Sequence, residues 1–270
     1  MCGINGIYQY ENLDLSLDKI YQMNLMSTRR GPDFKSVFQD ENVILGHNRL
    51  AIIDINKEAN QPYISNDKSI VLTYNGEIYN YKKIRDELKM LGHNFRSNSD
   101  TEVVLNAYKE WGTSCFKKFN GMFAMAIYDI NKKMVYLARD IAGEKPLFYN
   151  YKDGCLRFAS ELKSLICDNN FEKKIDLQSL ECYFSMGFVL GERCILQGYK
   201  KLPASSYLEF DLDKNKIDIK KYWEIPNLIS NSDDSISLNA QVDNLEELLF
   251  KAVKKQMVSD VPVGILLSGG

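Results

Sequence analysis

The chain has 270 residues, of which 45% are hydrophobic and 26% are charged, and its formal net charge is −2. This composition is typical of a soluble globular protein with one large or two ordinary domains, and it lacks the basic surface of a nucleic-acid-binding protein. It contains no run near the roughly 18 apolar residues of a membrane span and no secretory signal, so we expect neither a nucleic-acid nor a membrane partner.

Short strand patterns fill the first two thirds of the chain. They carry alternating or continuous apolar residues and end at turn-forming residues. The predicted strands are residues 4–8, 43–45, 50–55, 70–74, 123–129, 134–138, 147–151 and 156–159. Helical spacing predicts helices at 17–26, 81–91 and 100–111. Strands joined by tight turns, with few helices between them, favour an α+β fold with antiparallel sheets.

The last third of the chain predicts a change of architecture. A second strand group covers residues 206–223, and the polar stretch 227–239 predicts a linker. An amphipathic helix at 242–257 and an apolar strand at 261–267 then resemble the opening of an α/β domain. We therefore expect a first domain at 2–212, a connecting segment at 213–239 and the truncated start of a second domain at 240–270.

The six cysteines are scattered without a CxxC pair, and only two histidines are present. This pattern predicts reduced thiols, a cytoplasmic location and no metal site. Cys2 stands apart because removal of Met1 would leave a thiol and a free α-amine on one residue. A thiol of pKa about 8.5 beside an amine of about 7.7–8.0 is a nucleophile with its own base. A buried, inert cysteine is the alternative.

Two segments offer groups that bind a carboxylate or an oxyanion. Arg49 precedes an apolar run, and a guanidinium there either grips a carboxylate or is merely solvated at a strand end. Asn75-Gly76 is either a hairpin turn or a pair of donors, a side-chain amide and a backbone N–H, for an oxyanion.

Two further segments carry a carboxylate and an anion loop. Ser99-Asp100-Thr101-Glu102 predicts a helix capping box and places Asp100 where it can receive an ammonium group. Leu267-Ser268-Gly269-Gly270 is either an ordinary turn or part of a backbone cradle for pyrophosphate. A thiol, an arginine, an acid and an oxyanion pair together would recognise an α-amino acid and attack its side-chain carbonyl, which describes glutamine hydrolysis.

The order of several short motifs resembles a known family, the class II glutamine amidotransferase domain of glutamine-dependent asparagine synthetases. The motifs that carry the resemblance are Met1-Cys2-Gly3-Ile4, Arg30-Gly31-Pro32-Asp33, Arg49-Leu50-Ala51-Ile52-Ile53-Asp54, Tyr74-Asn75-Gly76-Glu77-Ile78-Tyr79, Ser99-Asp100-Thr101-Glu102, Gly121-Met122-Phe123-Ala124, Arg139-Asp140, Gly143-Glu144-Lys145-Pro146 and Phe158-Ala159-Ser160-Glu161. The segment from Ser259 to Gly270 is similar to the start of an ATP-pyrophosphatase synthetase domain.

The resemblance implies a fold and a set of roles. The fold is the N-terminal-nucleophile hydrolase sandwich, four αββα layers built on two antiparallel sheets, followed here by the truncated start of an α/β domain. Cys2 is the implied nucleophile. The implied substrate contacts and oxyanion donors are Arg49 for the α-carboxylate, Glu77 and Asp100 for the α-amine, Leu50, Ile52 and Ile53 along the pocket, and Asn75 and Gly76 for the oxyanion. The implied partial ATP loop is Leu267, Ser268, Gly269 and Gly270.

The family also implies what the chain does. Glutaminase activity needs no cofactor, whereas the complete enzyme uses ATP, Mg²⁺ and aspartate, and a homodimer is one assembly it allows. Arg29 stands where the family usually has His, and the family's acidic Mg²⁺ ligands are absent from this sequence. Two alternatives remain open: an asparagine-synthetase-like enzyme that amidates another carboxylate, and a fragment that binds glutamine without turnover.

Overall fold

The computed structural model describes residues 1–9, 17–167, 173–226 and 237–267. The strands in these ranges are β1 Gly3–Gln9, β2 Phe34–Gln39, β3 Val43–Arg49, β4 Tyr63–Ile64, β5 Ile70–Ile78, β6 Gly121–Asp129, β7 Met134–Arg139, β8 Phe148–Lys152, β9 Cys155–Ala159, β10 Lys200–Lys201, β11 Ser206–Asp211 and β12 Lys216–Lys221. The helices are α1 Leu17–Met26, α2 Tyr81–Met90, α3 Asp100–Trp111, α4 Leu162–Leu165, α5 Leu177–Met186 and α6 Leu238–Gln256. None of these helices is long and apolar enough to cross a bilayer.

The strands form two six-stranded sheets. Sheet A has the order β10-β8-β9-β1-β3-β2, and sheet B has the order β12-β11-β7-β6-β5-β4. Every neighbouring pair in both sheets is antiparallel. The antiparallel pairing predicted from strands joined by tight turns is therefore confirmed, because a tight turn returns the chain alongside the strand that it leaves.

Three apolar clusters separate four layers. One lies between α1 and sheet A and includes Ile20 and Met23. A second lies between the two sheets, and a third lies between sheet B and the helices α2 and α3. Apolar faces of helices and sheets are buried in every one of these spaces, which is the driving force for stacking them. The αββα sandwich predicted from the motifs is confirmed.

Close packing around β1 places the start of the chain. Gly6 lies under the ring of Phe158, so a Cβ at this position would sit 2.0 Å from Phe158 Cε1. A Cβ on Gly3 would sit 2.8 Å from that of Ser27. Side chains larger than hydrogen are therefore excluded at both positions, and Cys2 is held at the point where the central strand of sheet A begins.

Two predicted strands are wrong. Residues 50–55 form an irregular loop, in which the amide of Ala51 bonds to Asp33 and that of Asp54 bonds to Asp260 instead of to a neighbouring strand. The run is apolar because Ile52 and Ile53 pack against the third cluster. Residues 261–267 are not a strand either, and no strand in the described ranges pairs with them.

The C-terminal segments differ from their predicted bounds. β12 lies beyond residue 212, the predicted end of the first domain, and pairs with β11 along its whole length. Most of the predicted linker, 227–236, lies outside the described residues. Helix α6 begins earlier than predicted because Ser237 caps it, accepting a hydrogen bond from the amide of Ala240. Its side chains are exposed, Leu248 to 64%.

Candidate active site

One small cavity is lined by residues from both sheets and from the start of α3. Its volume is about 40 Å³, which is room for about one water molecule. Among its lining residues are all nine that the sequence predicted for glutamine binding and catalysis: Cys2, Arg49, Leu50, Ile52, Ile53, Asn75, Gly76, Glu77 and Asp100. Met1 lines the same cavity, so its side chain takes space beside the predicted nucleophile.

Cys2 immediately precedes β1 and lies against the end of β3. Its sulfur accepts a hydrogen bond from the amide of Leu50 at 3.4 Å, and its thiol lies 3.6 Å from the Leu50 carbonyl oxygen. Its own carbonyl accepts a hydrogen bond from Arg30 Nε at 3.0 Å. Burial raises the pKa of the Cys2 thiol, while the Leu50 amide and the charge of Arg49 act in the opposite direction. The thiol is therefore held in place but needs a base.

Arg49 ends β3 and is only 5% exposed. Its guanidinium donates to Asn60 Oδ1 at 2.7 Å, to the Asn56 carbonyl at 2.8 Å and to the Asp54 carbonyl. A guanidinium has five N–H donors, so two remain beyond these three bonds. Burial lowers the pKa of Arg49, yet the group stays charged because its ordinary value is above 12. A fixed fork with two spare donors fits a carboxylate.

Asn75 and Gly76 lie inside β5, so the hairpin turn that their dipeptide suggests is wrong. The strand stays straight here because Gly76 allows β6 to approach: a Cβ would lie 2.2 Å from the Met122 carbonyl oxygen. The side-chain amide nitrogen of Asn75 is buried and has no hydrogen-bond partner among the described residues. A buried donor without a partner costs about 1–3 kcal/mol, and a developing oxyanion in the cavity would satisfy it.

The amide of Gly76 points to the same edge of β5 as those of Tyr74 and Ile78. Opposite Gly76, Phe123 uses its N–H and C=O on Asp140, so this pair is not hydrogen-bonded across the ladder. The amides two residues before and after Gly76 bond to Gln61 Oε1 and Asp100 Oδ2. The Gly76 N–H therefore projects between these two acceptors, into the cavity wall.

Asp100 is the first residue of α3 and is 4% exposed. Ser99 caps the helix, accepting from the amide of Glu102 at 3.3 Å, as the sequence predicted. The reciprocal half of the capping box is not formed, because the carboxylate of Glu102 accepts from the amides of Arg96 and Ser97. The Asp100 carboxylate accepts from the Tyr74 hydroxyl at 2.8 Å, which fixes its orientation toward the cavity.

Glu77 lines the cavity beside Asp100 and is half-buried. Burial, and then the charge of Asp100, raise the pKa of Glu77, and burial raises the pKa of Asp100. A second carboxylate that disfavours ionisation of Glu77 makes this part of the cavity favourable for a cation. An α-ammonium group is such a cation. The cavity thus combines a thiol, a guanidinium, two carboxyl groups and an unpartnered side-chain amide nitrogen among the described residues.

Comparison with known protein families agrees with this geometry. A family model described as a glutamine amidotransferase domain matches residues 1–223. The chain belongs to this family. A second model, described as asparagine synthase, matches residues 244–270 of the same chain. The amidotransferase match includes β12 and so extends past the predicted domain end at 212.

Curated relatives carry both parts in longer chains. A putative glutamine-hydrolysing asparagine synthetase of Methanocaldococcus jannaschii is 36% identical over 290 residues, which cover 100% of this chain and 55% of that protein. The glutamine-hydrolysing asparagine synthetase B of Escherichia coli is 32% identical over 278 residues, covering 100% of this chain and 43% of that protein. The chain therefore spans about half the length of the curated relatives it matches.

Solved structures show the same fold at lower identity. Glutamine phosphoribosylpyrophosphate amidotransferase from Bacillus subtilis, complexed with ADP and GMP, is 18% identical, covers 84% of this chain and 50% of that one, and superposes with a TM-score of 0.59. An allosteric regulatory enzyme of purine biosynthesis is 17% identical with a TM-score of 0.60 over 84% of this chain and 50% of that one. These likenesses confirm the fold class of the amidotransferase domain.

The predicted site lacks six of the residues that line this cavity, and it also lacks Asp260, which lies in the segment matched to asparagine synthase. Met1 and Lys145 line the cavity directly. Asp260 reaches the loop behind it, since its carboxylate accepts from the Asp54 amide at 2.7 Å and its own amide donates to the Ile52 carbonyl at 3.0 Å. The Gly-Glu-Lys-Pro motif around Lys145 was a usable signal, whereas nothing in the sequence pairs Asp260 with residues 52–54.

Other predicted or prominent features lie elsewhere. A larger groove of about 1240 Å³ is lined in part by Tyr149, Gly191 and Ile219, and it contains none of the predicted site residues. Of the predicted ATP loop, Leu267 is exposed, and Ser268, Gly269 and Gly270 lie outside the described residues. Within the described ranges, no cluster of three or more His, Cys, Asp or Glu side chains has the geometry to hold a metal ion.

Proposed function

We propose that this amidotransferase domain hydrolyses glutamine to glutamate and ammonia, with Cys2 as the nucleophile once Met1 has been removed. The observation that carries the proposal is the unpartnered, buried amide nitrogen of Asn75 in a cavity shared with the Cys2 thiol and the Arg49 guanidinium. Folding leaves such a donor without a partner at a real cost, and function gives a reason for that cost.

Binding of glutamine follows from the charges around the cavity. The two spare donors of Arg49 take the α-carboxylate, and Asp100 with Glu77 takes the α-ammonium group. Clamping both ends of the amino-acid backbone leaves the side-chain amide free to extend toward the Cys2 thiol, which lines the same cavity. Substrate orientation of this kind supplies a large part of a rate enhancement.

Chemistry then proceeds in two halves. The Cys2 sulfur bonds to the δ-carbon while the Cys2 α-amine takes the thiol proton, and the carbonyl electron pair moves to an oxyanion held by Asn75 and the Gly76 amide. The C–N bond breaks as the amine passes that proton to the leaving nitrogen, which departs as ammonia and leaves a thioester. Water adds to the thioester carbon, and glutamate and the free thiol are regenerated.

Maturation is required for both binding and chemistry. While Met1 is present, the nitrogen of Cys2 is part of a peptide bond and cannot accept a proton. The remaining volume of about 40 Å³ holds about one water molecule, far less than a glutamine side chain. A chain that retains Met1 is therefore expected to be inactive on both counts.

The test is glutamate release from glutamine by a protein whose intact mass shows that Met1 is absent. Cys2→Ala is expected to abolish release, and Cys2→Ser is expected to reduce it strongly, since an alcohol is a much weaker nucleophile than a thiol at neutral pH. Equal release by the parent and by Cys2→Ala would overturn the nucleophile assignment. No release by a correctly processed, folded parent would overturn the proposed activity and favour a glutamine-binding role.

For the complete protein we propose that the ammonia is used to amidate aspartate in an ATP-dependent reaction. The match of residues 244–270 to an asparagine synthase model supports this, as do the names of the relatives. ATP and Mg²⁺ belong to that second activity, and no glutaminase step runs through them. The test is asparagine formation from aspartate, glutamine and ATP by the full-length protein. Amidation of a different carboxylate, with aspartate left unchanged, would overturn the acceptor and retain the glutaminase.

A further inference from the structure

Lys145 is a buried cation in the wall of the cavity that the proposed mechanism does not use. It lies in the connection between β7 and β8 and is 4% exposed. Both of its backbone polar groups are held by side chains: its amide donates to Asp140 Oδ2 at 2.9 Å, and its carbonyl accepts from Arg139 Nε at 2.7 Å. The backbone from which the side chain extends is therefore fixed.

The side chains of Arg139 and Asp140 both form hydrogen bonds to the backbone of the connection between β7 and β8. Arg139 also donates to the Gly143 carbonyl at 2.6 Å and to the Leu202 carbonyl at 2.7 Å. Asp140 also accepts from the amides of Phe123 and Glu144. Charge-assisted bonds of this kind are stronger than neutral ones, so the connection is tied firmly to sheet B. A connection braced in this way presents a long side chain with little freedom at its base.

The ammonium of Lys145 has a poor partner. Its Nζ donates to the sulfur of Met1 at 3.1 Å, and a thioether is a weak acceptor. No carboxylate in the described ranges forms an ion pair with it. An isolated buried cation is costly. Burial lowers the pKa of Lys145, whereas the charges of Glu77 and then Glu144 raise it. Once Met1 is gone, even this weak partner is lost.

A second cation, the guanidinium of Arg30, lies near the Met1 sulfur. Arg30 Nε donates to the carbonyl oxygen of Cys2 at 3.0 Å, and its guanidinium lies 3.9 Å from the Met1 sulfur. Lys145 and Arg30 thus converge on the residue whose removal creates the Cys2 α-amine. Both belong to elements outside β1, so their position relative to that amine is set by the tertiary fold.

We propose that Lys145 is a positioning residue for the Cys2 α-amine, acting through its charge to keep that amine in the uncharged form that accepts the thiol proton. The inference rests on the proposed N-terminal-nucleophile function. Two cations in one buried site cannot both persist, and the group with the lower ordinary pKa loses its proton first. That group is the α-amine, at about 7.7–8.0 against about 10.4 for lysine.

All charged groups around the chain start enter this balance. At the α-amine of Met1, the charges of Arg30 and Lys145 disfavour the protonated form, whereas an ionised Cys2 thiol and Glu77 favour it. Arg49 and Asp100 act on the thiol with opposite signs. The α-amine of Met1 already shows the balance: burial lowers its pKa first, and the charges of Arg30 and Lys145 lower it further. After maturation the amine lies one residue deeper in the cavity.

The test compares Lys145→Met, which keeps the length and removes the charge, with Lys145→Arg, which keeps the charge. Lys133→Met is the matched control, because Lys133 is an exposed lysine paired with Asp213. Each protein is produced behind a cleavable leader that leaves Cys2 first, so that processing does not depend on the substitution. The rate at which acetic anhydride acetylates the α-amine of residue 2 is followed against pH by peptide mass spectrometry, in the same variants carrying Cys2→Ala so that no thiol competes. Glutamate release by the proteins that retain Cys2 is measured over the same pH range.

Without the charge, the α-amine should gain its proton at higher pH. Lys145→Met is therefore expected to move the acid limb of both profiles upward by about one pH unit, a tenfold loss on that limb, while the rates at high pH approach those of the parent. Lys145→Arg should retain most of the parent profile, and Lys133→Met should retain all of it.

Three results would overturn the inference. An unmoved acid limb in Lys145→Met would show that the charge does not act on the amine. A uniform loss at every pH, also in Lys145→Arg, would indicate a structural role. A raised KM with an unmoved limb would indicate direct contact with glutamine. The acetylation profile reports the uncharged α-amine and requires no turnover, so it tests Lys145 even if the parent protein releases no glutamate.

Discussion

Replacing Asn75 by Ala separates catalysis from stability, because the side-chain amide nitrogen that it removes has no hydrogen-bond partner among the described residues. If this amide is an oxyanion donor, its loss should lower kcat by about 10²–10³, or about 2.7–4 kcal/mol, with little change in KM. The fold should lose little. Relief of an unsatisfied buried donor, about 1–3 kcal/mol, offsets a cavity cost of similar size.

Asn5→Ala is the matched control. Asn5 and Asn75 are both buried, 0% and 1% exposed, on central strands of the two sheets. Asn5 Nδ2 donates to Asn24 Oδ1 at 2.9 Å, so its removal leaves that oxygen unpaired and should cost about 1–3 kcal/mol.

The assay combines glutamate release at saturating glutamine with thermal unfolding of the same samples. The expected result is a crossed pattern: Asn75→Ala loses turnover and keeps its Tm, whereas Asn5→Ala loses several degrees of Tm, about 2–4 °C per kcal/mol in a chain of this size. Full turnover in Asn75→Ala would refute the oxyanion assignment. Equal destabilisation by both substitutions would refute the argument that the Asn75 amide is unpartnered.

Three further outcomes are expected. Arg49→Lys should raise KM for glutamine about ten- to a hundredfold with kcat nearly unchanged, because an ammonium cannot replace a two-pronged grip on a carboxylate; an unchanged KM in steady-state kinetics would contradict this. Burial lowers the pKa of His47 to about 3, so below pH 6.5 the unfolded chain binds a proton that the folded chain does not, and stability should fall by up to about 1.4 kcal/mol per pH unit down to about pH 3. Denaturant unfolding measured at several pH values should show that the free energy of unfolding depends less steeply on pH in His47→Gln than in the parent. Asp260→Ala should raise KM for glutamine about three- to tenfold, because it frees the loop at 52–54. Asp260→Asn keeps an acceptor oxygen and should raise KM less. A KM equal to that of the parent in both variants would show that this contact does not affect the cavity.

Most strands of the amidotransferase domain were readable from the sequence. Strands β5, β6 and β7 alternate or run continuously in apolar residues because both of their faces are buried. The missed strands lack that signal. β2 is an edge strand with half of its side chains exposed, and β4 has only two residues. An edge strand buries too little surface to impose a pattern on its sequence.

Two of the misread segments share one physical cause. Residues 50–55 look like a strand because their side chains are apolar, and Asn75-Gly76 looks like a turn because its residue types are common in turns. In the fold, the apolar loop packs on the cluster beneath the cavity, and the dipeptide continues β5 because Gly76 allows close approach of β6. Both outcomes depend on neighbours that are distant in the chain.

By itself, the sequence determined the kinds of groups at the site: a second-residue thiol, an arginine, an acid at a helix start and an Asn-Gly donor pair. It could do so because those chemical types are carried by short local motifs. Only the tertiary structure decided which of them meet, that the Asn75 amide is left unpartnered, and that Lys145 and Arg30 converge on the chain start. These facts arise from packing two sheets face to face, and the resulting distances between residues 2, 75 and 145 are set by no local sequence pattern.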